Sequence, residues 1–279
     1  MSGRKDTLLI AIDLGTSFIK VGVYDAKSSC VAVETEPVKD YRPAPGIFIQ
    51  KGEELLGSVV ECMKKAAATL GDRSSQVEAI AFTGQMSGFM GVDRDWNDVT
   101  TWSCSLDSRY MPYAERQMKE LKDKFLCIGG TNFPQMAPKY EWFRTEYPEE
   151  SKKIAKYLMI SGYVIGKLGD IPADEAVIDR SFTQWTGLAD VRNDRWSDEI
   201  CDAVGLNQKF LPEIVNSNQV CARLNKQMAA LTGLKAGIPL VSGAGDKAAG
   251  CLGAGIVDYG DMIFEASSYG EVSCCVKEY

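Results

Sequence analysis

Histidine is absent from all 279 residues, which removes imidazole acid–base chemistry, serine–histidine nucleophiles and histidine-held metals together. Any general base must therefore be a carboxylate, a lysine, a tyrosine or a cysteine. The nine cysteines are an odd number, scattered, and never spaced Cys-x-x-Cys, which argues against a disulfide framework and a zinc site. No apolar run approaches the roughly eighteen residues a membrane helix needs. Met1–Asp6 carries only a short basic piece and leads into a strand-like run rather than a signal-type apolar stretch, so a cytoplasmic protein without membrane contact is expected. Long basic runs are also lacking, and a net charge of −7 excludes a general nucleic-acid surface. There is no short repeat and no low-complexity segment. With 45% hydrophobic residues the chain can bury a large core, as one large or two small domains.

Two glycine-rich turns stand out from this background. In Val241-Ser242-Gly243-Ala244-Gly245-Asp246-Lys247, a lone carboxylate follows an apolar strand-like run, Ile238 to Val241. It precedes Ala248 to Gly255, a helix of small residues in which Gly250, Gly253 and Gly255 are expected to permit close packing. An aspartate here can be a turn residue or a helix cap as well as a catalyst. Near the other end, Leu8 to Leu14, the turn Gly15-Thr16-Ser17, and Phe18 to Asp25 read as two strands of a hairpin, because the residues after Gly15 alternate with period two. Phosphate-binding loops of the strand–loop–helix kind are thereby excluded. The hairpin turn can still hold phosphate through its N–H groups and the Thr16 and Ser17 hydroxyls, with Lys20 adding positive charge and Asp13 reaching magnesium through water.

Residues 7 to 35 read as a three-strand meander, Gly52 to Leu70 as an amphipathic helix, and Val77 to Phe82 as a buried strand. Tyr113 to Phe125, Lys139 to Glu146, Pro148 to Tyr157 and Met159 to Leu168 read as helices. This alternation predicts a layered α/β fold. Trp96, Trp142, Trp185 and Trp196 read as packing aromatics.

The Asp13-Leu14-Gly15-Thr16-Ser17 hairpin, Thr83-Gly84-Gln85-Met86-Ser87-Gly88, Leu106-Asp107-Ser108-Arg109, Pro138-Lys139 before Trp142, and Gly243 to Gly250 occur in the order seen in FGGY carbohydrate kinases. Asp190 to Glu199 and Leu206 to Pro212 are similar to the segments preceding the catalytic loop in xylulokinase-like members. This resemblance spans residues 7 to 275 and implies the actin-like ATPase (ribonuclease H-like) fold, with substrate-binding insertions between roughly residues 85 and 235. It implies that residues 1–279 form the sugar-binding N-terminal domain of a two-domain kinase, whose nucleotide-binding second domain lies outside this chain. ATP and Mg2+ become the expected cofactors, with Asp13, Gly15, Thr16, Ser17 and Lys20 on the nucleotide side. Asp246 becomes the base that activates a hydroxyl of a ketopentose such as xylulose, or of a related polyol. Gln85, Met86, Ser87, Trp102, Asp107, Arg109 and Lys247 become the expected substrate contacts. A homodimer is the default association.

Several residues depart from the family pattern. Ser87 stands where xylulokinases usually carry histidine, and Ser105 stands where the Trp-x-Asp-x-Arg motif has its ring, with Trp102 three residues earlier. Lys247 replaces an amide and would depress the Asp246 pKa unless it points away. The second phosphate turn reads Ser267-Ser268-Tyr269-Gly270 and keeps only its last glycine. Lys247 and this turn motivate an alternative, a non-catalytic sugar-binding or regulatory protein of the same fold.

Overall fold

The computed structural model describes residues 7–266 and 270–277. The first strand, β1 (Leu8–Leu14), buries Leu8, Ile10, Ile12 and Leu14 on one face and turns Leu9 and Ala11 outward. It pairs antiparallel with β2 (Phe18–Asp25), which pairs antiparallel with β3 (Cys30–Pro37), the expected meander. After the short β4 (Ile49–Gln50), α1 (Gly52–Leu70) places Leu55, Leu56, Val59, Cys62, Met63 and Ala66 at helical spacing and buries them against β2 and β3. The chain then returns as β5 (Val77–Gly84), parallel to β1.

The next stretch builds a second sheet. Strands β6 (Gly88–Val92) and β7 (Trp102–Cys104), helices α2 (Met111–Cys127), α3 (Met136–Glu146) and α4 (Pro148–Ser151), strand β8 (Lys156–Leu158) and helix α5 (Ile160–Gly169) follow in order. Their four-stranded sheet runs β4-β7-β6-β8. Here the expected helix from Pro148 to Tyr157 is corrected: it stops at Ser151, and residues 156–158 are a strand. Tertiary pairing overrides the local pattern, because Tyr157 stacks on Phe89 at 5.1 Å and Lys156 Nζ donates to the carbonyls of Lys209 and Leu211.

A more irregular region follows: β9 (Val177–Asp179), α6 (Thr183–Thr186), the hairpin β10 (Ala189–Asp190) and β11 (Arg195–Trp196), α7 (Asp198–Val204), and β12 (Glu213–Val215), parallel to β9. Strand β13 (Val220–Arg223), α8 (Lys226–Thr232) and β14 (Pro239–Val241) bring the chain back to the main sheet, whose order is β13-β14-β5-β1-β2-β3. Finally α9 (Asp246–Gly253) leads to a hairpin of β15 (Met262–Ala266) and β16 (Gly270–Cys274). The expected close packing of this helix is not found among the described residues: α9 buries none of its residues, and a Cβ at Gly250, Gly253 or Gly255 would meet nothing within 4 Å. The four tryptophans read as packing residues are indeed buried or packed against the core.

Candidate functional site

Three parallel strands, β1, β5 and β14, end side by side, and each delivers one of the turns singled out in the sequence. The carboxyl ends of parallel strands are where open α/β sheets bind ligands. At the first turn, a Cβ on Gly15 would lie 2.6 Å from the Phe18 carbonyl oxygen, so only glycine closes this hairpin. Lys20 Nζ lies 3.0 Å from Asp13 Oδ2, and the register sets Lys20, Asp13 and Thr83 in one row across β2, β1 and β5. Asp13 keeps partial solvent access, and Thr16 and Ser17 lie in the turn beside it. That combination of a glycine-only turn, two hydroxyls, a lysine and a half-exposed carboxylate suits a hydrated magnesium–phosphate group. Sequence reading missed Gln50, which is fully buried and donates from Nε2 to the Thr16 carbonyl at 2.7 Å, pinning the turn from β4.

The second turn clamps onto the first, since the Gln85 N–H donates to the Leu14 carbonyl. Gln85 is buried, with its Oε1 accepting from Trp102 Nε1 at 3.2 Å. Trp102 is wholly buried with its ring against Gly88, so its indole orients Gln85 instead of standing open as a stacking surface. Ser87 is half-buried between them. The buried atoms Thr83 Oγ1, Gln85 Nε2 and Gln50 Oε1 have no protein hydrogen-bond partner among the described residues, and all three sit around these turns. Buried polar groups ordinarily find partners, so these three leave hydrogen-bonding capacity free around the turns.

The third turn carries Asp246. Gly243 has φ 74°, and a Cβ there would lie 1.7 Å from the Phe82 carbonyl oxygen, which also accepts from the Ala244 N–H. Gly245 packs on Met86, so the second and third turns touch. Asp246 opens α9 and accepts from the Lys247 N–H at 2.8 Å. Crowding of protein around this carboxyl, then the charges of Asp13 and Glu265, push its pKa up, against the Lys247 N–H and charge. The residue remains open to solvent, so the shift is a bias toward protonation and not a locked neutral acid. The upward influence of Asp13 also brings the first and third turns within electrostatic reach. Lys247 is shared with the terminal hairpin: its Nζ lies 2.9 Å from Glu265 and 3.4 Å from Glu271, while its charge still acts to lower the Asp246 pKa.

Asp107 and Arg109 form a bidentate pair, with Nε to Oδ1 at 2.9 Å and Nη2 to Oδ2 at 2.6 Å. Asp107 is fully buried, so this is no ordinary surface pair, and the guanidinium lies 4.5 Å from the Trp142 ring centroid. Arg109 and Trp142 line an open groove of about 650 Å³ with Tyr113, Arg116 and Tyr147. Behind the loop, wholly buried Lys139 donates to the carbonyls of Ser103 and Cys104 at 2.8 and 2.7 Å, and burial pulls its pKa down to about 7. Lys139 stands in the Pro138-Lys139 step before Trp142, where nothing local to the sequence signals this task. Ser267, Ser268 and Tyr269 of the expected second phosphate turn lie outside the described residues. Among the described residues no cluster of three or more acidic or sulfur ligands is poised for a metal, and no helix is long and apolar enough to cross a membrane.

The model of the FGGY family of carbohydrate kinases, N-terminal domain, matches residues 8–253. A xylulose kinase of Escherichia coli (strain K12) is 28% identical over 275 residues, covering 94% of this chain and 53% of that protein. An autoinducer-2 kinase of Escherichia coli (strain ATCC 8739) is 26% identical over 264 residues, covering 89% of this chain and 47% of the relative. The chain thus spans about half the length of the curated relatives it matches. In structure it is similar to a gluconate kinase from Lactobacillus acidophilus, with a TM-score of 0.88 at 18% identity over 95% of this chain and 53% of that one. The mixed sheet with flanking helices is accordingly the actin-like ATPase fold that the sequence led us to expect. The chain belongs to the FGGY family of carbohydrate kinases, of which it carries the N-terminal domain.

Proposed function

We propose that this chain is the sugar-binding half of an ATP-dependent carbohydrate kinase in which Asp246 is the general base. The observation that carries the reading is the meeting of the Asp13, Gln85 and Asp246 turns at the ends of β1, β5 and β14. Phosphoryl transfer relies on positioning and charge neutralisation, so few protein groups are needed. Magnesium bound with the nucleotide supplies that neutralisation at the phosphates. Asp13 would hold it through water, while the Gly15-Thr16-Ser17 turn and Lys20 cradle phosphate oxygens. Asp246 takes the proton from the attacking hydroxyl, a role helped by burial that raises its pKa above the ordinary carboxylate value.

The substrate is a ketopentose such as xylulose, or a related polyol, held by Gln85, Met86 and Ser87 at the second turn. Trp102 contributes through Gln85, and Asp107 with Arg109 forms the outer wall. Lys247, engaged with Glu265 and Glu271, contributes by steadying the hairpin beside the base. A second actin-like domain completes the nucleotide site, a reading supported by the half-length match to relatives and by the open apolar face of α9 and β15. Cytoplasmic ATP would serve the reaction.

The test is sugar phosphorylation by the protein expressed through its full reading frame, with a panel of pentuloses, hexuloses and polyols. Asp246→Asn should lower kcat by about a hundredfold to ten-thousandfold, roughly 3–5 kcal/mol, while sugar binding persists. Near-normal turnover in that variant removes Asp246 from the role. Sugar binding without turnover in the unaltered protein favours the non-catalytic alternative.

A further inference from the structure

Gly245 precedes the base and has no side chain with which to cap α9, so its backbone depends on groups from elsewhere. Its N–H donates to Ser181 Oγ at 2.8 Å, across 64 residues of chain. The Ser181 hydroxyl in turn donates to Asp179 Oδ1, which also accepts from the Ser181 N–H at 2.8 Å. A serine hydroxyl carries one hydrogen. With that hydrogen committed to Asp179, the oxygen lone pairs are aimed at the Gly245 N–H, and the rotor is fixed by the carboxylate. Asp179 stands at the end of β9, is only 2% exposed, and its Oδ2 has no protein hydrogen-bond partner among the described residues. Burying a carboxylate with one oxygen unsatisfied is costly, and the fold of β9 against β12 requires no charge there.

We propose that Asp179 and Ser181 are positioning residues for the base: through the Gly245 N–H they hold the loop so that Asp246 faces the substrate hydroxyl. The inference rests on the reading of Asp246 as base, and it extends that reading to two residues the sequence did not single out. Neither touches the reacting atoms. Their effect falls on kcat, because a base displaced by about an ångström can lose on the order of a hundredfold in rate without altering sugar affinity.

The experiment pairs amide hydrogen exchange on this chain with kinetics of the full-length protein, for Ser181→Ala and Ser181→Thr. In Ser181→Ala, Gly245 should exchange about tenfold faster or more, with β1 and β5 amides unchanged, as for a local opening. Its kcat should fall by about a hundredfold with KM kept within about twofold. Ser181→Thr retains the hydroxyl and should restore both. Should Ser181→Ala not fold, Ser181→Cys, similar in size but a weak acceptor, supplies the same comparison. Unchanged Gly245 exchange, or an unchanged kcat alongside faster exchange, overturns the proposal. If the unaltered protein phosphorylates no sugar yet Gly245 protection still depends on Ser181, the kinase reading falls and the loop anchoring stands.

Discussion

Ile12 in the central sheet is 0% exposed, whereas Phe264 in the terminal hairpin is 70% exposed, although both sit in strands with an alternating pattern. In β1 the apolar set faces the core. In β15 and β16 the pattern is inverted: Met262, Phe264 and Val272 face outward, while Glu265 and Glu271, directly opposite each other in the register, turn inward to share Lys247. Alternation therefore states which side chains share a face, and only the neighbours decide which face is inside. For the hairpin that neighbour is a cation on α9. Like charges directly opposite on a ladder repel, and Lys247 offsets that repulsion.

Substitutions in the two regions should separate them sharply. Ile12→Ala removes a fully buried side chain and should cost about 2–5 kcal/mol in urea unfolding of this chain, while Phe264→Ala should stay within about 0.5 kcal/mol. A large loss from Phe264→Ala would mean that its face is covered in solution, and the contrast would dissolve.

Lys139 offers a smaller, pH-dependent effect within the buried region. Its folded pKa, about 7, lies below the ordinary 10.5, so between these values the unfolded chain binds more protons than the folded one. Stability contributed by this group therefore rises as pH increases from 7 toward 10.5, and the burial penalty is fully present below 7. A neutral amine still has two hydrogens for the Ser103 and Cys104 carbonyls. Lys139→Met should remove this rising component from the pH–stability profile; an identical slope in the variant would show that Lys139 is not held neutral.

The smallest expected effect is in the hairpin. Lys247→Gln leaves Glu265 and Glu271 facing each other without their cation and should weaken the hairpin by at most about 1 kcal/mol, because the pair is partly solvated. Faster amide exchange confined to β15 and β16 would register it. No local change would place the hairpin's cohesion in its backbone ladder alone.

Much of the fold was legible in the chain. The β1–β3 meander and α1 declare themselves by period, because each buries one face against a large core, and the strand before the Asp246 turn by its short apolar run. The segment from Pro148 to Tyr157 misled, since its short strand is stabilised by pairing with β6 and by carbonyl acceptors for Lys156 more than fifty residues away. The site divides similarly. Asp13, Gln85 and Asp246 sit in glycine turns that carry a local signature, whereas Gln50, Asp179 and Ser181 lie in unremarkable segments. Gln50 and Ser181 act by hydrogen bonds with distant backbone groups, which no local signal announces, and Asp179 acts through Ser181 two residues on, a step that by itself reads only as a local turn.

The sequence by itself determined the chemistry available: with no histidine, acid–base work is left to carboxylate, lysine, tyrosine or cysteine, and the glycines set where the chain can turn tightly enough to present a carboxylate. The tertiary structure decided which of these groups meet, that Trp102 donates to Gln85, and that Lys247 is engaged by Glu265 and Glu271. A side chain's direction follows from the partners that folding brings to it, and those partners are fixed by packing between segments that are distant along the chain.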